Sequence, residues 1–338
     1  MAHITSFTVE NFKRFEHFEM QNIGQFNLIV GDNNVGKTSV LEALLVNKSA
    51  AVTRYSLLKV LTEYRGIENL RETFLHSFIR RGAWLQADTI ISYDEGGTMM
   101  LLPNKDKGYV WSYNGFVSDF NLSNDKTAKF DGALRFDGTG IVHIPFVPFF
   151  LGHGKDIAVI YSAYIQEDKG RKTILLDALK TLIPSIESIE INVAIAEEPT
   201  IVIWQSHTNV PAPLATFGDG TIKLFRILLN LFIHKDKRLM VDEIDAGIHI
   251  GRMHNFFRII LEIAAQNNVQ LFATTHNWEC LEVFKEVLEE PKMVQYQEKA
   301  RCFKLAEMPD GSVKSYSATF EEFQATLESG IDPREVWQ

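Results

Sequence analysis

One short segment near the start of the chain has the residue types and spacing of a phosphate-binding loop. It reads Gly31-Asp32-Asn33-Asn34-Val35-Gly36-Lys37-Thr38 and fits the pattern G-x-x-x-x-G-K-[ST] in full. Its glycines let backbone N–H groups fold around phosphate oxygens. Lys37 would neutralise the β- and γ-phosphates of a nucleotide, and Thr38 would ligate Mg²⁺. Because an apolar run at 26–30 predicts a strand before the loop and a helical pattern follows Lys37, the motif lies in the context that this chemistry needs.

A pair of carboxylates about 200 residues later could complete that chemistry. Asp242 and Glu243 end the apolar run Leu239-Met240-Val241, which predicts a buried strand. An aspartate at such a strand end is the usual partner of Mg²⁺ in phosphate-loop proteins, and the adjacent Glu243 could polarise an attacking water. Taken alone, such a pair is usually a solvated strand end, and it is the upstream phosphate loop that favours the functional interpretation.

Two weaker signals lie on either side of this carboxylate pair. Gly218, Asp219 and Gly220 form a glycine-flanked turn ahead of an apolar helix predicted at 221–234, and such a helix start can bind an anion. The alternative is a plain left-handed turn with an aspartate cap. His276 follows a strand predicted at 269–274 and, although a lone histidine is more often structural, it should share the carboxyl edge of a sheet with Glu243.

The elements that must position these residues alternate between strand and helix. Strands at 238–241 and 269–273 and helices at 221–234, 250–266 and 277–289 predict a parallel sheet with crossover helices. Other predicted elements are a helix at 156–183 ended by Pro184, paired strands at 186–196 and 200–205, tail strands at 301–306 and 312–317, and hairpins or long loops over 103–140.

Composition excludes several classes of protein. The 338 residues, with a net charge of −9, suit one large or two-lobed α/β domain. Nucleic acid could therefore be held only through a local patch or a partner, since whole-surface binders are usually basic. Two cysteines without a spacing motif exclude a disulfide framework. We expect a cytoplasmic protein with no membrane association, because no signal pattern or apolar run of about 18 residues is present.

Taken together and in this order, the four motifs resemble those of the ABC-class ATPases, a group that includes SMC proteins, RecF and the overcoming-lysogenization-defect (OLD) type ATPases. The opening segment, Val9-Glu10-Asn11-Phe12-Lys13-Arg14-Phe15, is similar to the first strand and turn of that group. Gly-Asp-Gly-Thr at 218–221 and Ala-Thr-Thr-His at 273–276 resemble the OLD-like branch in particular. The tail at 320–332 looks like the ending of stand-alone members, and no TOPRIM nuclease domain is recognised.

This resemblance implies a fold and a set of site residues. The expected fold is an α/β P-loop ATPase of the ABC type, two-lobed, with a mixed or parallel sheet and flanking helices. Residues 1–338 would form a single domain, with 50–215 as an inserted lobe and 290–338 as a small C-terminal extension. ATP and Mg²⁺ are the implied cofactors. The implied catalytic residues are Glu243 as general base, His276 as switch histidine and Lys37, and the implied metal-associated residues are Thr38 and Asp242. The implied nucleotide-binding residues are Gly31, Asn33, Asn34, Gly36, Lys37, Thr38, Ser39, Lys13 and the signature loop Gly218, Asp219 and Gly220. A D-loop is expected near 245–247, and Gln86 is a candidate for the Q-loop glutamine.

The resemblance also implies an assembly and a role. Two chains, or a higher oligomer, would hold ATP head to tail, with the signature loop of one subunit completing the site of the other. We expect a nucleotide-switched subunit of a bacterial anti-phage defence or nucleic-acid-surveillance complex, with a separate nuclease or toxin as effector. The alternative is a RecF-like DNA-binding ATPase of repair, which would need basic surface at 80–81, 169–172 and 235–238. A non-hydrolysing scaffold and a small-molecule kinase are weaker alternatives, because Glu243 and His276 are both present.

Overall fold

A computed structural model describes residues 3–46, 89–94, 97–104, 108–113, 116–119, 145–149, 155–192 and 199–336, together with Thr53, Ser56 and Val60. Its strands are β1 (Phe7–Phe12), β2 (Phe15–Met20), β3 (Phe26–Gly31), β4 (Thr89–Tyr93), β5 (Gly97–Asn104), β6 (Gly108–Tyr113), β7 (Phe116–Asp119), β8 (Phe146–Val147), β9 (Ile186–Asn192), β10 (Thr200–Gln205), β11 (Ala212–Pro213), β12 (Arg238–Val241), β13 (Gln270–Thr274), β14 (Ala300–Glu307) and β15 (Val313–Thr319). Its α-helices are α1 (Lys37–Ala43), α2 (Lys155–Tyr164), α3 (Lys169–Lys180), α4 (Asp219–Ile233), α5 (Ile250–Gln266), α6 (Trp278–Glu289), α7 (Phe320–Glu328) and α8 (Pro333–Val336).

The central sheet has six strands in the order β15-β14-β3-β13-β12-β8. All neighbouring pairs are parallel except β14 with β15. Strand β3, which leads into the phosphate-binding loop, lies between β13 and β14. The carboxyl ends of β3, β12 and β13 therefore meet at one edge, where α/β sheets keep their ligands.

Both faces of the central sheet are buried, because the side chains of a strand alternate between its faces. Leu28 and Val30 of β3 belong to a core that includes residues of α2 to α6, whereas Ile29 belongs to a second core with α1 and strand β1. Such strands read as continuous apolar runs. That property made β3 and β12 recognisable in the sequence.

Two antiparallel sheets accompany the central one. The larger has the order β2-β1-β4-β5-β6-β7, so the N-terminal hairpin continues into strands from the segment expected as an insert. The smaller has the order β11-β10-β9 and lies beside α3 and α2. The pairing of β9 with β10 confirms the predicted strand pair.

Helix α4 is nearly all apolar because it is buried on every side. It packs against α2, α3 and α5 and against β12, and its polar residues Lys223, Arg226 and Asn230 are also buried. A helix with such a sequence is expected only in the interior of a domain.

One expectation differs from the structure in this part of the chain. The predicted single helix at 156–183 is wrong, because α2 ends at Tyr164 and α3 begins after Asp168, whose carboxylate accepts a hydrogen bond from the N–H of Arg171 at 3.0 Å. The segment 290–338 contributes β14 and β15 to the central sheet and packs α7 and α8 beside them. None of the described helices is both long and apolar enough to cross a membrane.

Candidate active site

The phosphate-binding loop follows β3 at the carboxyl edge of the central sheet. Gly31 has φ 146° and Gly36 has φ 113°, which side-chain-bearing residues rarely adopt. A Cβ at Gly31 would lie 2.5 Å from the carbonyl oxygen of Leu305, and one at Gly36 would lie 2.9 Å from the ring of Phe15. Both glycines are thus required by backbone conformation and by close neighbours. The loop keeps the exposed backbone surface that phosphate oxygens need.

Lys37 begins α1 and folds back over this loop. Its ammonium donates to the carbonyl oxygens of Gly31 at 2.7 Å and Asp32 at 2.9 Å, and the residue is only 8 % exposed. Burial lowers the pKa of Lys37, and the carboxylates of Glu243, Asp242 and Asp32 partly oppose that effect. The cation therefore lies at the mouth of the loop, where the terminal phosphates of a nucleotide would bind.

Oxygen ligands for a metal ion lie together beside the loop. The hydroxyl of Thr38 donates to both carboxylate oxygens of Asp242, at 3.0 and 3.2 Å. The hydroxyl of Thr274, at the end of β13, donates to the same carboxylate at 2.6 Å. Because Mg²⁺ prefers oxygen ligands and keeps several waters, the donor set of Thr38 and Asp242 fits that ion.

Glu243 and His276 form a second pair at this edge. Strands β12 and β13 are neighbours, so the residues that follow them come close, and the imidazole Nδ1 of His276 lies 3.2 Å from a carboxylate oxygen of Glu243. Glu243 has φ 46°, a left-handed conformation that is uncommon outside glycine. Its N–H donates to the Thr274 hydroxyl at 2.8 Å. The turn is therefore held from the neighbouring strand, and it directs the carboxylate of Glu243 towards the histidine.

A buried lysine of α4 donates hydrogen bonds to the backbone of the same turn. The ammonium of Lys223 donates to the backbone carbonyl oxygen of Asp242 at 2.9 Å and also to that of Glu243. Lys223 is 7 % exposed, and burial lowers its pKa to about 8, although the carboxylates of Asp245, Asp242 and Glu243 oppose the shift. The helix that follows the signature loop is thereby attached directly to the carboxylate turn.

The signature loop packs against the expected D-loop. A Cβ at Gly220 would lie 2.2 Å from the carbonyl oxygen of Gly247, so the two segments meet backbone to backbone. Asp245 accepts a hydrogen bond from the buried hydroxyl of Thr275 at 2.7 Å, which ties the D-loop to the histidine loop. Gly218 has φ 86°, and a Cβ placed on it would meet nothing within 4 Å. The start of the signature loop is therefore open on its outer side, and Asp219 is exposed.

The structure brings most of the expected site residues together, with one difference at Lys13. The ammonium of Lys13 forms an ion pair with the buried Glu42 of α1. The neighbouring Arg14, instead, contacts the phosphate loop, through the carbonyl oxygen of Asn34. Asn33 is exposed and Ser39 half-buried in the loop and α1, and Gln86 lies outside the described residues.

Sequence reasoning assigned no role to Thr274 and Lys223, although both left a signal. Thr274 stands in the Ala-Thr-Thr-His run that carried the resemblance, but the run alone does not show which hydroxyl contacts Asp242. Lys223 is a charged residue in an otherwise apolar helix, and such a residue is rarely buried without a partner. Its position in the first turns of the helix after the signature loop could have suggested a partner in the carboxylate turn.

Comparison with known proteins finds similarity to ATPase domains over much of the chain. Residues 155–281 match the family described as "AAA domain, putative AbiEii toxin, Type IV TA system", and residues 3–94 match "AAA ATPase domain". The chain is 23% identical over 355 residues to an ATP/GTP phosphatase of Helicobacter pylori, covering 89% of this chain and 92% of that protein.

Solved structures of SMC head domains share the fold. One of them, bound to the C-winged helix domain of ScpA, has a TM-score of 0.57 and is 14% identical in sequence. The match covers 96% of this chain and 100% of that SMC head domain. A head domain with an extended coiled coil, bound to the C-terminal domain of ScpA derived from Pyrococcus furiosus, has a TM-score of 0.54 and is 14% identical in sequence. The match covers 97% of this chain and 99% of that head domain. The fold is that of an α/β P-loop ATPase of the ABC/AAA type, and the chain is an ATPase.

Proposed function

We propose that this ATPase hydrolyses Mg²⁺-bound ATP with Glu243 as the general base, in a head-to-tail dimer that switches a separate effector protein. The observation that carries the hydrolytic part is the joint placement of Thr38, Asp242, Glu243 and His276 at one sheet edge. Bound Mg²⁺ would neutralise the charge that develops on the transferred phosphoryl group.

Each residue has a distinct part in the proposed reaction. Lys37 would exchange its loop carbonyl partners for phosphate oxygens, and Thr38 and Asp242 would hold the metal ion. Glu243 orients the attacking water and accepts its proton. His276, 3.2 Å from the Glu243 carboxylate, keeps that carboxylate in its orientation.

A substitution of the proposed base tests this assignment. Glu243→Gln retains size and hydrogen bonding but cannot accept a proton, so we expect ATP binding to persist and phosphate release to fall by at least about 100-fold. Lys37→Ala should instead lose nucleotide binding, because the buried cation at the loop mouth is removed. Glu282→Gln is a matched control, since Glu282 is an exposed glutamate of α6. Equal phosphate release by Glu243→Gln and the unmodified protein would overturn the role of Glu243.

The open signature loop supports the dimer. Its first glycine faces no neighbouring atom, whereas Gly220 is packed on Gly247 of the same chain. A nucleotide bound to a second copy could therefore approach the loop from outside. We expect ATP to promote dimerisation, more strongly in Glu243→Gln, and light scattering with and without ATP measures it. A monomer with full ATPase activity at micromolar concentration would contradict the dimer.

The role of a switched subunit rests on three observations. The family description matched by residues 155–281 names a toxin of a type IV toxin–antitoxin system. The similar SMC heads were solved with segments of a partner protein bound. The net charge of −9 disfavours tight autonomous DNA binding. These observations support our proposal of a bacterial anti-phage defence or nucleic-acid-surveillance complex in the cytoplasm.

The DNA-clamp alternative has less support in the described residues. Of its candidate basic residues, Arg171 pairs with Asp168, and Arg238 lies over the ring of Tyr93, 4.6 Å from its centroid. A pull-down from the native host with Glu243→Gln as bait, with and without ATP, distinguishes the two. Recovery of a stoichiometric protein partner only with ATP supports the switched subunit. No partner, together with tight and salt-sensitive binding of bare duplex DNA, would favour the clamp.

A further inference from the structure

The segment 331–336 folds back onto the edge of the central sheet that carries the site. Its short helix, α8, packs against β14 and β3, the strand that leads into the phosphate loop. Asp332 shapes the preceding turn, because its carboxylate accepts from the backbone N–H of Arg334 at 2.8 Å and from the Nε of the same residue at 2.9 Å. These hydrogen bonds restrict the Arg334 side chain to one orientation.

That direction leads to the loop that bears the switch histidine. Nη1 of Arg334 donates to the backbone carbonyl oxygen of His276 at 2.9 Å, across 58 residues of sequence. The imidazole of the same histidine lies 3.2 Å from the carboxylate of Glu243. One arginine therefore holds the main chain of the residue that contacts the proposed base.

The guanidinium is also held by an ion pair with the carboxylate of Asp332. The Arg334 side chain is 31 % exposed, so it is partly screened from water. Its carboxylate partner Asp332 has its pKa lowered mainly by the hydrogen bond from Arg334, which keeps the pair ionised.

We propose that Arg334 is a positioning residue of the hydrolysis site, which fixes the His276 loop so that the imidazole stays on Glu243. The inference rests on the proposed roles of Glu243 and His276. Removal of the guanidinium leaves the carbonyl oxygen of His276 without this donor and lets the loop between β13 and α6 move. A merely structural role for Arg334 would affect folding of the 331–336 segment but not the geometry of the catalytic pair.

Kinetics of three variants separate these roles. Loss of a hydrogen bond from a charged donor is expected to lower kcat of Arg334→Gln by about 10- to 100-fold, with the affinity for ATP changed by less than about threefold. Arg334→Lys retains a cation and should recover part of kcat. In a His276→Ala background, Arg334→Gln should add little, because residues that act through one another are not additive.

Hydrogen exchange on the protein without nucleotide gives an independent readout. The N–H of Asn277 donates to the Thr275 hydroxyl at 3.1 Å within the histidine loop. Faster exchange of residues 275–278 in Arg334→Gln, with unchanged exchange in β12, is the expected result. Arg301→Gln is the matched control, because Arg301 also donates to backbone carbonyl oxygens, those of Glu298 and Ala300, but lies at the start of β14.

The outcomes distinguish this inference from the proposed function. Wild-type kcat and wild-type exchange in Arg334→Gln, while Glu243→Gln is inactive, would overturn the role of Arg334 alone. An additive loss in the His276→Ala background would also overturn it. Wild-type turnover by Glu243→Gln would instead overturn the assignment of the base.

Discussion

Replacement of Thr274 by valine tests how the carboxylate turn is held. The hydroxyl of this fully buried residue makes two hydrogen bonds, donating to the carboxylate of Asp242 at 2.6 Å and accepting from the N–H of Glu243 at 2.8 Å. Valine has nearly the same shape but cannot make either bond. The change therefore removes polar contacts from the turn without leaving a cavity.

The size of the effect follows from these two bonds. A hydrogen bond to a charged group is worth about 1.5–3 kcal/mol, and a buried N–H left without an acceptor costs about 1–3 kcal/mol. Asp242 keeps its contact with Thr38, so we expect the lower part of the sum, a loss of about 3 kcal/mol in the free energy of unfolding. At about 2 °C per kcal/mol for a chain of this size, the melting temperature falls by about 6 °C.

The assay combines thermal unfolding with phosphate release. We expect kcat of Thr274→Val to fall by at least about tenfold, because both Asp242 and Glu243 lose a contact that orients them. Thr274→Ser is the control, since it keeps the hydroxyl and should retain most of the activity. A melting temperature and turnover equal to wild type in Thr274→Val would refute the role of this hydroxyl.

Two further substitutions test the attachment of α4 to the site. Burial lowers the pKa of Lys223 to about 8 from its ordinary 10.5, so the unfolded chain binds the proton more tightly and this group's contribution to stability rises as pH increases from about 8 to 10.5. Lys223→Met should lack that rise. Chemical denaturation of both proteins at several pH values between 7.5 and 10 measures the difference between their free energies of unfolding. A difference that does not change with pH would contradict the prediction. Gly220→Ala should destabilise the protein by about 1–3 kcal/mol and weaken ATP-promoted dimerisation, because the new Cβ would lie 2.2 Å from the carbonyl oxygen of Gly247. Gly170→Ala, in the first turn of α3 with no contact closer than 3.4 Å, is its control, and equal melting temperatures of the two variants would refute the close packing.

The sequence predicted the elements of the site well where local patterns are strong. The strands β3, β12 and β13 are short, largely apolar runs, and such runs are typical of a buried parallel sheet. Helix α5 was predicted with its observed bounds, 250–266. The fold class follows from this alternation, and the similar SMC head structures agree with it.

The rest depends on contacts that local patterns do not contain. The break between α2 and α3 was missed although residues 166–173 contain no apolar side chain and Asp168 is a typical helix cap. The contact of Arg14 with the phosphate loop follows a turn in which Lys13 has a left-handed conformation, φ 53°, and the sequence pattern does not report that conformation. The contact of Arg334 with the His276 loop joins residues 58 positions apart, and no local sequence pattern predicts such a contact.

The position of β3 in the central sheet has a consequence for biosynthesis. Both neighbours of this strand, β13 and β14, are encoded roughly 240 residues or more further along the chain than its end at Gly31. At about 5–20 residues per second, a ribosome needs about 12–48 s to reach them after β3 has been made. During that interval the backbone groups of an apolar strand lack their native partners, which makes it prone to aggregate. The nucleotide site can therefore form only after most of the chain has been made.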